Sequence, residues 1–352
     1  MKLFKSTVLL STITGLLFYS FTVLSSSSDD DKLPVDKVEG KLSVMVLGSG
    51  GPIATPSGRA SSGYLIFADG KPRLFIDTGG GTFKSLAESG ARIPNVSNFL
   101  LTHLHLDHTA DMSAIVKTLY FHNLQAGQFR TSPIHFYGPQ TNNVPFPPAP
   151  PLAGGAGVSQ YPDTSFYVDG HYNIKTGVER YLNVFTLGIK AGVFKYTVSD
   201  LPSDVSDNTI TTVFSDPDGL TVTSIPVNHG PVPAVAYRVD YAGYSIVYTG
   251  DTTSKTDNVI KLATGADILI YDTAIMDDAP PLDSIFHKLH TTPTRMGVVA
   301  ATAKPKKLVL SHITPVTEPR LNEVKSIVKS AGFTGKIKKA KDLKVYNLGD
   351  DD

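Results

Sequence analysis

Seven consecutive residues limit what this chain can be more than any others: Thr102-His103-Leu104-His105-Leu106-Asp107-His108. They close an apolar run, Val96 to Thr102, that reads as a β-strand. Alternate residues of an extended segment face one side, so His103 and His105 can converge on one metal ion. Asp107 and His108, where the strand turns, can serve a second. Imidazole and carboxylate are good zinc ligands. A surface loop that happens to carry histidine is the competing reading. The whole chain, however, has 10 histidines in 352 residues, and three of them fall in these few positions. There is no cysteine, which excludes disulfides, thiolate zinc ligands, iron–sulfur clusters and a thiol nucleophile. Any bound metal must be held by His, Asp or Glu.

The remaining chain alternates short apolar runs with glycine-rich turns. Strands are predicted over 42–47, 62–68, 72–77, 134–137, 220–227, 234–241, 244–249, 268–272 and 307–311. Helices are predicted over 82–89, 110–123, 177–190, 295–303 and 321–330; Gly90 ends the first, and Thr292-Pro293 opens the fourth. Residues 139–157, rich in proline and then glycine, read as an irregular surface loop. Paired strands and helices without an internal repeat predict an α/β sandwich rather than a simple βαβ array. The composition, 41% hydrophobic, never shifts enough to mark a second domain, so 41–352 reads as one domain behind a polar linker, 29–40.

Residues 1–28 stand apart. Lys2 and Lys5 precede a largely apolar run from Thr7 to Leu24 and a serine tract, the layout of a secretory signal peptide. An uncleaved N-terminal membrane anchor is the alternative. Both predict an exported protein, periplasmic or extracellular. The 32 basic and 32 acidic side chains cancel, and loss of Lys2 and Lys5 with the leader leaves a net charge of −2. Neither value gives a global pull toward nucleic acid.

The spacing His-x-His-x-Asp-His at 103–108 resembles the signature of the metallo-β-lactamase superfamily. That resemblance implies an αββα sandwich, two mixed sheets flanked by helices, with metal at one edge. It also implies three further ligands at strand ends, in the order His, Asp, His. His229 follows the strand at 220–227, Asp251 that at 244–249, and His312 that at 307–311. The implied assignment gives His103, His105 and His229 to one ion and Asp107, His108 and His312 to the other, with Asp251 bridging. The implied cofactor is two zinc ions, with manganese or iron as substitutes, and the implied chemistry is attack on an ester by metal-bound hydroxide.

Four segments are similar to the ribonuclease Z-like branch: Val46 to Pro52 with Gly58 to Ser62; Val227 to Gly230 leading to Ala236-Tyr237-Arg238; Ile270 to Ala274; and His290-Thr291-Thr292. The branch implies that Asp272 pairs with His290 to stabilise or protonate the leaving group. Asp272 stands where the branch carries Glu, and His287 is a rival for the acid role. Asp107, His290 and Asp272 are thus the candidate catalytic residues. Asp77, in Asp-Thr-Gly, matches a superfamily aspartate and is read as holding a ligand histidine. The expected substrate is a small phosphodiester or sulfate ester. Ribonuclease Z-type tRNA 3′ processing, lactone hydrolysis and non-catalytic metal binding are the alternatives. The leader, the mature charge and the short Arg238 to Tyr244 connection argue against tRNA. Lys336, Lys338, Lys339, Lys341 and Lys344 read as a solvated face. Tyr161, Phe166 and Tyr167 read as core or as the wall of a substrate pocket. A homodimer is compatible with the reading.

Overall fold

The computed structural model describes residues 32–142, 144, 160–279 and 284–349. The predicted leader, residues 29–31 of the linker and most of the 139–157 loop lie outside these. Each sheet is built from an antiparallel half and a parallel half. In chain order the first contains β1 (Leu42–Gly48), β2 (Gly63–Ala68), β3 (Lys71–Thr78), β4 (Asn98–Leu100), β5 (Ile134–Pro139) and β6 (Tyr196–Leu201). The second contains β7 (Thr211–Ser215), β8 (Thr221–Pro226), β9 (Val235–Tyr241), β10 (Tyr244–Tyr248), β11 (Ile268–Asp272), β12 (Lys307–Ser311) and β13 (Lys336–Lys339), and β14 (Val345–Leu348) returns to the first. The spatial orders are β14-β1-β2-β3-β4-β5-β6 and β13-β12-β11-β10-β9-β8-β7. Helices α1 (Thr82–Ser89), α2 (Leu106–Thr109), α3 (Met112–Gln125), α4 (Thr164–Tyr172) and α5 (Leu182–Gly188) belong to the first half. Helices α6 (Asn258–Ala263), α7 (Ile285–Leu289), α8 (Pro293–Ala303) and α9 (Leu321–Ser330) belong to the second. The architecture is the expected sandwich of two mixed sheets flanked by helices.

Strand periodicity explains the layering. In β1, Leu42, Val44 and Val46 point to a core shared with Ile246, Ile268 and Val309 of the other sheet. Met45 and Leu47 point the other way, into a core shared with α1 and α3. In β11, Ile268 and Ile270 face inward, while Leu269 and Tyr271 pack under α6 and α8. A strand covered on both faces reads as a continuous apolar run, which is why these were legible. Phe75, Phe99 and Phe136 stack across β3, β4 and β5 with ring centroids 5.0 and 5.4 Å apart, each contact worth about 0.5–1.5 kcal/mol beyond area burial.

Some elements differ from expectation. The strand at 96–102 has only three residues, because Thr102 turns away to bond Asp77. The helix expected over 177–190 begins at Leu182. The lysine run contains β13, in which Ile337 is buried between exposed lysines. Of the three aromatics, Phe166 is 72% exposed and Tyr167 packs against the core. Between β9 and β10 the turn holds only Ala242 and Gly243, both left-handed as a tight hairpin requires. Among the described residues no helix is long and apolar enough to cross a membrane.

Candidate metal centre

Parallel strands bring their C-terminal ends to one edge of the sandwich, and there the singled-out residues meet. His103 and His105 lie beyond β4, His105 in extended backbone, and Asp107 and His108 sit on α2. His229 follows β8, Asp251 follows β10, and His312 follows β12 directly. Two close approaches explain glycines of the entry turn and the Asp-Thr-Gly segment. A Cβ at Gly51 would stand 2.7 Å from the His312 ring, and one at Gly79 would stand 2.0 Å from the Asp107 carbonyl oxygen. The glycine-rich entry turn seats a side chain rather than a phosphate.

His103, His105 and His229 form the first group. His103 Nε2 lies 3.0 Å from His105 Nδ1, which lies 3.4 Å from His229 Nε2. Zinc bound tetrahedrally at about 2.0–2.1 Å holds neighbouring nitrogens roughly 3.3 Å apart. The back of the His103 ring meets the Thr102 hydroxyl at 3.2 Å, and His229 Nδ1 donates to the Leu289 carbonyl at 2.8 Å. Burial pushes all three imidazoles down, His229 to about 3, so neutral rings offer lone pairs to the same space.

Asp107, His108, Asp251 and His312 form the second group. His312 Nε2 lies 3.1 Å from Asp107 and 3.2 Å from Asp251; His108 Nε2 lies 3.4 Å from each carboxylate. Burial opposes charge on His108 and His312. Asp251 and Asp107 override it, raising His108 well above its ordinary value and His312 to about 10. Both carboxylates are held below the usual range, against burial, by the same imidazoles. His108 Nε2 and Asp251 Oδ1 are buried without a hydrogen-bond partner, which a buried polar atom tolerates poorly. A divalent ion answers this arrangement, since it binds deprotonated imidazole and carboxylate together.

Asp77 and Asp272 stand behind these ligands. Asp77 accepts from the Thr102 N–H and hydroxyl, each at 2.8 Å, and from His108 Nδ1 at 2.7 Å. That bond turns His108 Nε2 toward Asp251. Asp272 accepts from His290 Nδ1 at 2.8 Å and lies 3.3 Å from His312 Nδ1. The aspartate is therefore long enough to reach His290. His287 instead donates to the Ala279 carbonyl at 2.6 Å. Burial pushes His290 down, but the Asp272 carboxylate raises it on balance.

Some contributors went unseen in the sequence. Thr102 links Asp77 to the His103 ring, yet a threonine ending a strand is ordinary. The Leu289 acceptor is backbone and leaves no sequence signal. Asp342 accepts from Ser49 N–H at 2.9 Å and Ala60 N–H at 2.7 Å, anchoring the entry turn from inside a run read as lysine-rich surface.

Residues 178–313 match the model of a beta-lactamase superfamily domain, and residues 42–133 match that of the anti-Pycsar protein Apyc1. The chain is 26% identical over 308 residues to ribonuclease Z of Mycobacterium bovis, covering 86% of this chain and 96% of the relative. The metallo-beta-lactamase fold protein YhfI from Bacillus subtilis shares the fold with a TM-score of 0.58 and 21% identity, covering 87% of this chain and 98% of the other. Human tRNase Z, short form, gives a TM-score of 0.58 and 21% identity, covering 87% and 99%.

Proposed function

We propose a specific activity for a chain that belongs to the metallo-β-lactamase superfamily and, within it, to the ribonuclease Z-like branch. The chain is a metal-dependent hydrolase of ester bonds, and the reaction proposed is hydrolysis of a phosphodiester with two zinc ions bound. One observation carries the reading. Asp251 faces both ligand groups, its Oδ1 within 3.4 Å of His108 and His312 and its Oδ2 3.9 Å from His103 and His229. In this proposal His103, His105 and His229 hold one ion, Asp107, His108 and His312 the other, and Asp251 both. Two divalent ions so held supply Lewis acidity and a water nucleophile near neutral pH. Four carboxylates, Asp77, Asp107, Asp251 and Asp272, balance the charge of two such ions.

The chain's own residues supply the rest. Asp272 holds the His290 Nδ1 proton and fixes the ring. The opposite nitrogen, Nε2, is the one from which a proton can pass to a leaving alkoxide, and the Asp272 carboxylate raises the basicity of the ring. Asp77 fixes His108 from behind, and Thr102 and the Leu289 carbonyl fix His103 and His229.

The zinc-loaded chain is expected to hydrolyse bis-p-nitrophenyl phosphate, to lose that activity in chelator and to regain it with zinc. No turnover with two zinc ions bound overturns the proposal; turnover of p-nitrophenyl sulfate or of a lactone instead redirects it to those esters. A second reading, 3′ processing of precursor tRNA, is favoured by the likeness to ribonuclease Z along most of the chain. The same assay with a precursor tRNA tests it, and site-specific 3′ cleavage would support it.

A further inference from the structure

We infer that the cavity beside His290 is a subsite for an anionic group on the leaving alcohol, so that the preferred phosphodiester is one whose leaving group itself bears a phosphate. The inference rests on the phosphodiesterase reading for the direction in which substrate lies, and on three cations for its chemistry. The cavity has a volume of about 540 Å³, within the range of small-molecule sites. Lys255, Lys288 and Arg295 line it together with His287 and His290, and among the described residues no carboxylate lines it. Lys255 and Lys288 are exposed and form no ion pair among the described residues. Arg295 is fixed by its Nε–H, which donates to the Ser254 carbonyl at 2.8 Å.

These cations are mounted on the elements that build the centre. Lys255 follows Asp251 on one loop, and Lys288 and Arg295 flank His290 in sequence. The loop is stiff. Thr253 bonds Asn228 through its N–H at 2.7 Å and its hydroxyl at 2.8 Å, and the Ser254 and Tyr271 hydroxyls meet at 2.6 Å. Direction comes from His290. Its Nδ1 is engaged by Asp272, so a proton leaves from Nε2, on the other side of the ring. In the hydrolysis, water oxygen bonds to phosphorus as its proton passes to solvent, and solvent later returns one to the His290 ring. The bond to the leaving oxygen breaks with its electron pair, and that oxygen takes the Nε2 proton. The group attached to it then extends among Lys255, Lys288 and Arg295. All three lining side chains are cationic, and a phosphate carrying about −1.5 to −2 offsets that charge where a neutral group does not.

Three dinucleotides test the inference: UpU, pUpU and UpUp. The products identify the leaving oxygen, and therefore which terminal phosphate rides on the leaving nucleoside. That phosphate is expected to raise kcat/KM about tenfold, mainly through KM, the scale of one hydrogen bond to a charged group. The double variant Lys255→Gln/Lys288→Gln is expected to erase the preference. A wild-type ratio near one, or a ratio the variant retains, overturns the subsite. Calorimetric binding of uridine monophosphate to the full zinc-loaded chain is the second arm, with thermal unfolding confirming that the variant folds. Binding weakened about tenfold in the variant supports the subsite; equal affinity overturns it, whether or not any dinucleotide is cleaved. If neither bis-p-nitrophenyl phosphate nor any dinucleotide is cleaved while binding still depends on the lysines, the phosphodiesterase reading fails and the anion subsite stands.

Discussion

The two ligand groups that meet at Asp251 both use imidazoles and hold them by opposite means. His103 and His229 are backed by neutral oxygens, the Thr102 hydroxyl and the Leu289 carbonyl. His108 and His312 are backed by the carboxylates of Asp77 and Asp272. Backbone strain falls on the second group alone. Asp77 (φ 56°) and His312 (φ 55°) are left-handed, at about 1–2 kcal/mol each, and His103, His105 and His229 are not. A carboxylate behind an imidazole raises its basicity and so its hold on a cation. The geometry therefore predicts unequal sites, the carboxylate-backed one retaining its ion longer.

The largest effect is expected from Asp251→Ala, which removes what the two groups share. Metal analysis should find fewer than two zinc ions per chain, with hydrolysis down roughly 10³-fold, the scale of losing one fixed electrostatic contact. Full zinc content would remove Asp251 from the bridging role. His290→Ala comes next. It belongs to neither group, and a fall in kcat of about 10²–10⁴-fold with both ions retained is expected. Metal loss in that variant would show that His290 is a ligand instead. Asp77→Asn attacks the second group from behind and should weaken one ion by about 10–100-fold in a chelator competition, leaving the other in place. Equal weakening of both ions would dissolve the comparison. Thr102→Val should do least, by about tenfold on the first ion at the lower end of the same range; an effect as large as that of Asp77→Asn would mean that the threonine acts through Asp77.

The site was legible where chemistry and strand ends coincide. His103 to His108 announced themselves by spacing, and His229, Asp251 and His312 were implied by the superfamily resemblance, each ending an apolar run. The strands buried on both faces, such as β1 and β11, were legible for the reason that makes them central. What escaped was at the margins. Strands β6, β7 and β13 lie at sheet edges, where one flank is solvent and the apolar pattern thins. Lys336 to Lys339 read as a solvated run because edge strands carry lysine to discourage further pairing. Helix α4 was missed because its apolar residues do not gather on one face, Phe166 pointing outward while Val168 is buried. The cation cluster of Lys255, Lys288 and Arg295 had no signature, since one loop and two helices, α7 and α8, bring it together.

One distance in sequence has a consequence for how this molecule is made. Asp107 and His312, 3.1 Å apart in space, are 205 residues apart in the chain. Contacts of such separation form late, after the intervening loop has been closed. The centre is thus a seal on the finished fold, not a nucleus for it. Zinc uptake during refolding should lag the appearance of β-structure, and a chain cut before β12, which loses β14 from the first sheet as well, should never close the second group.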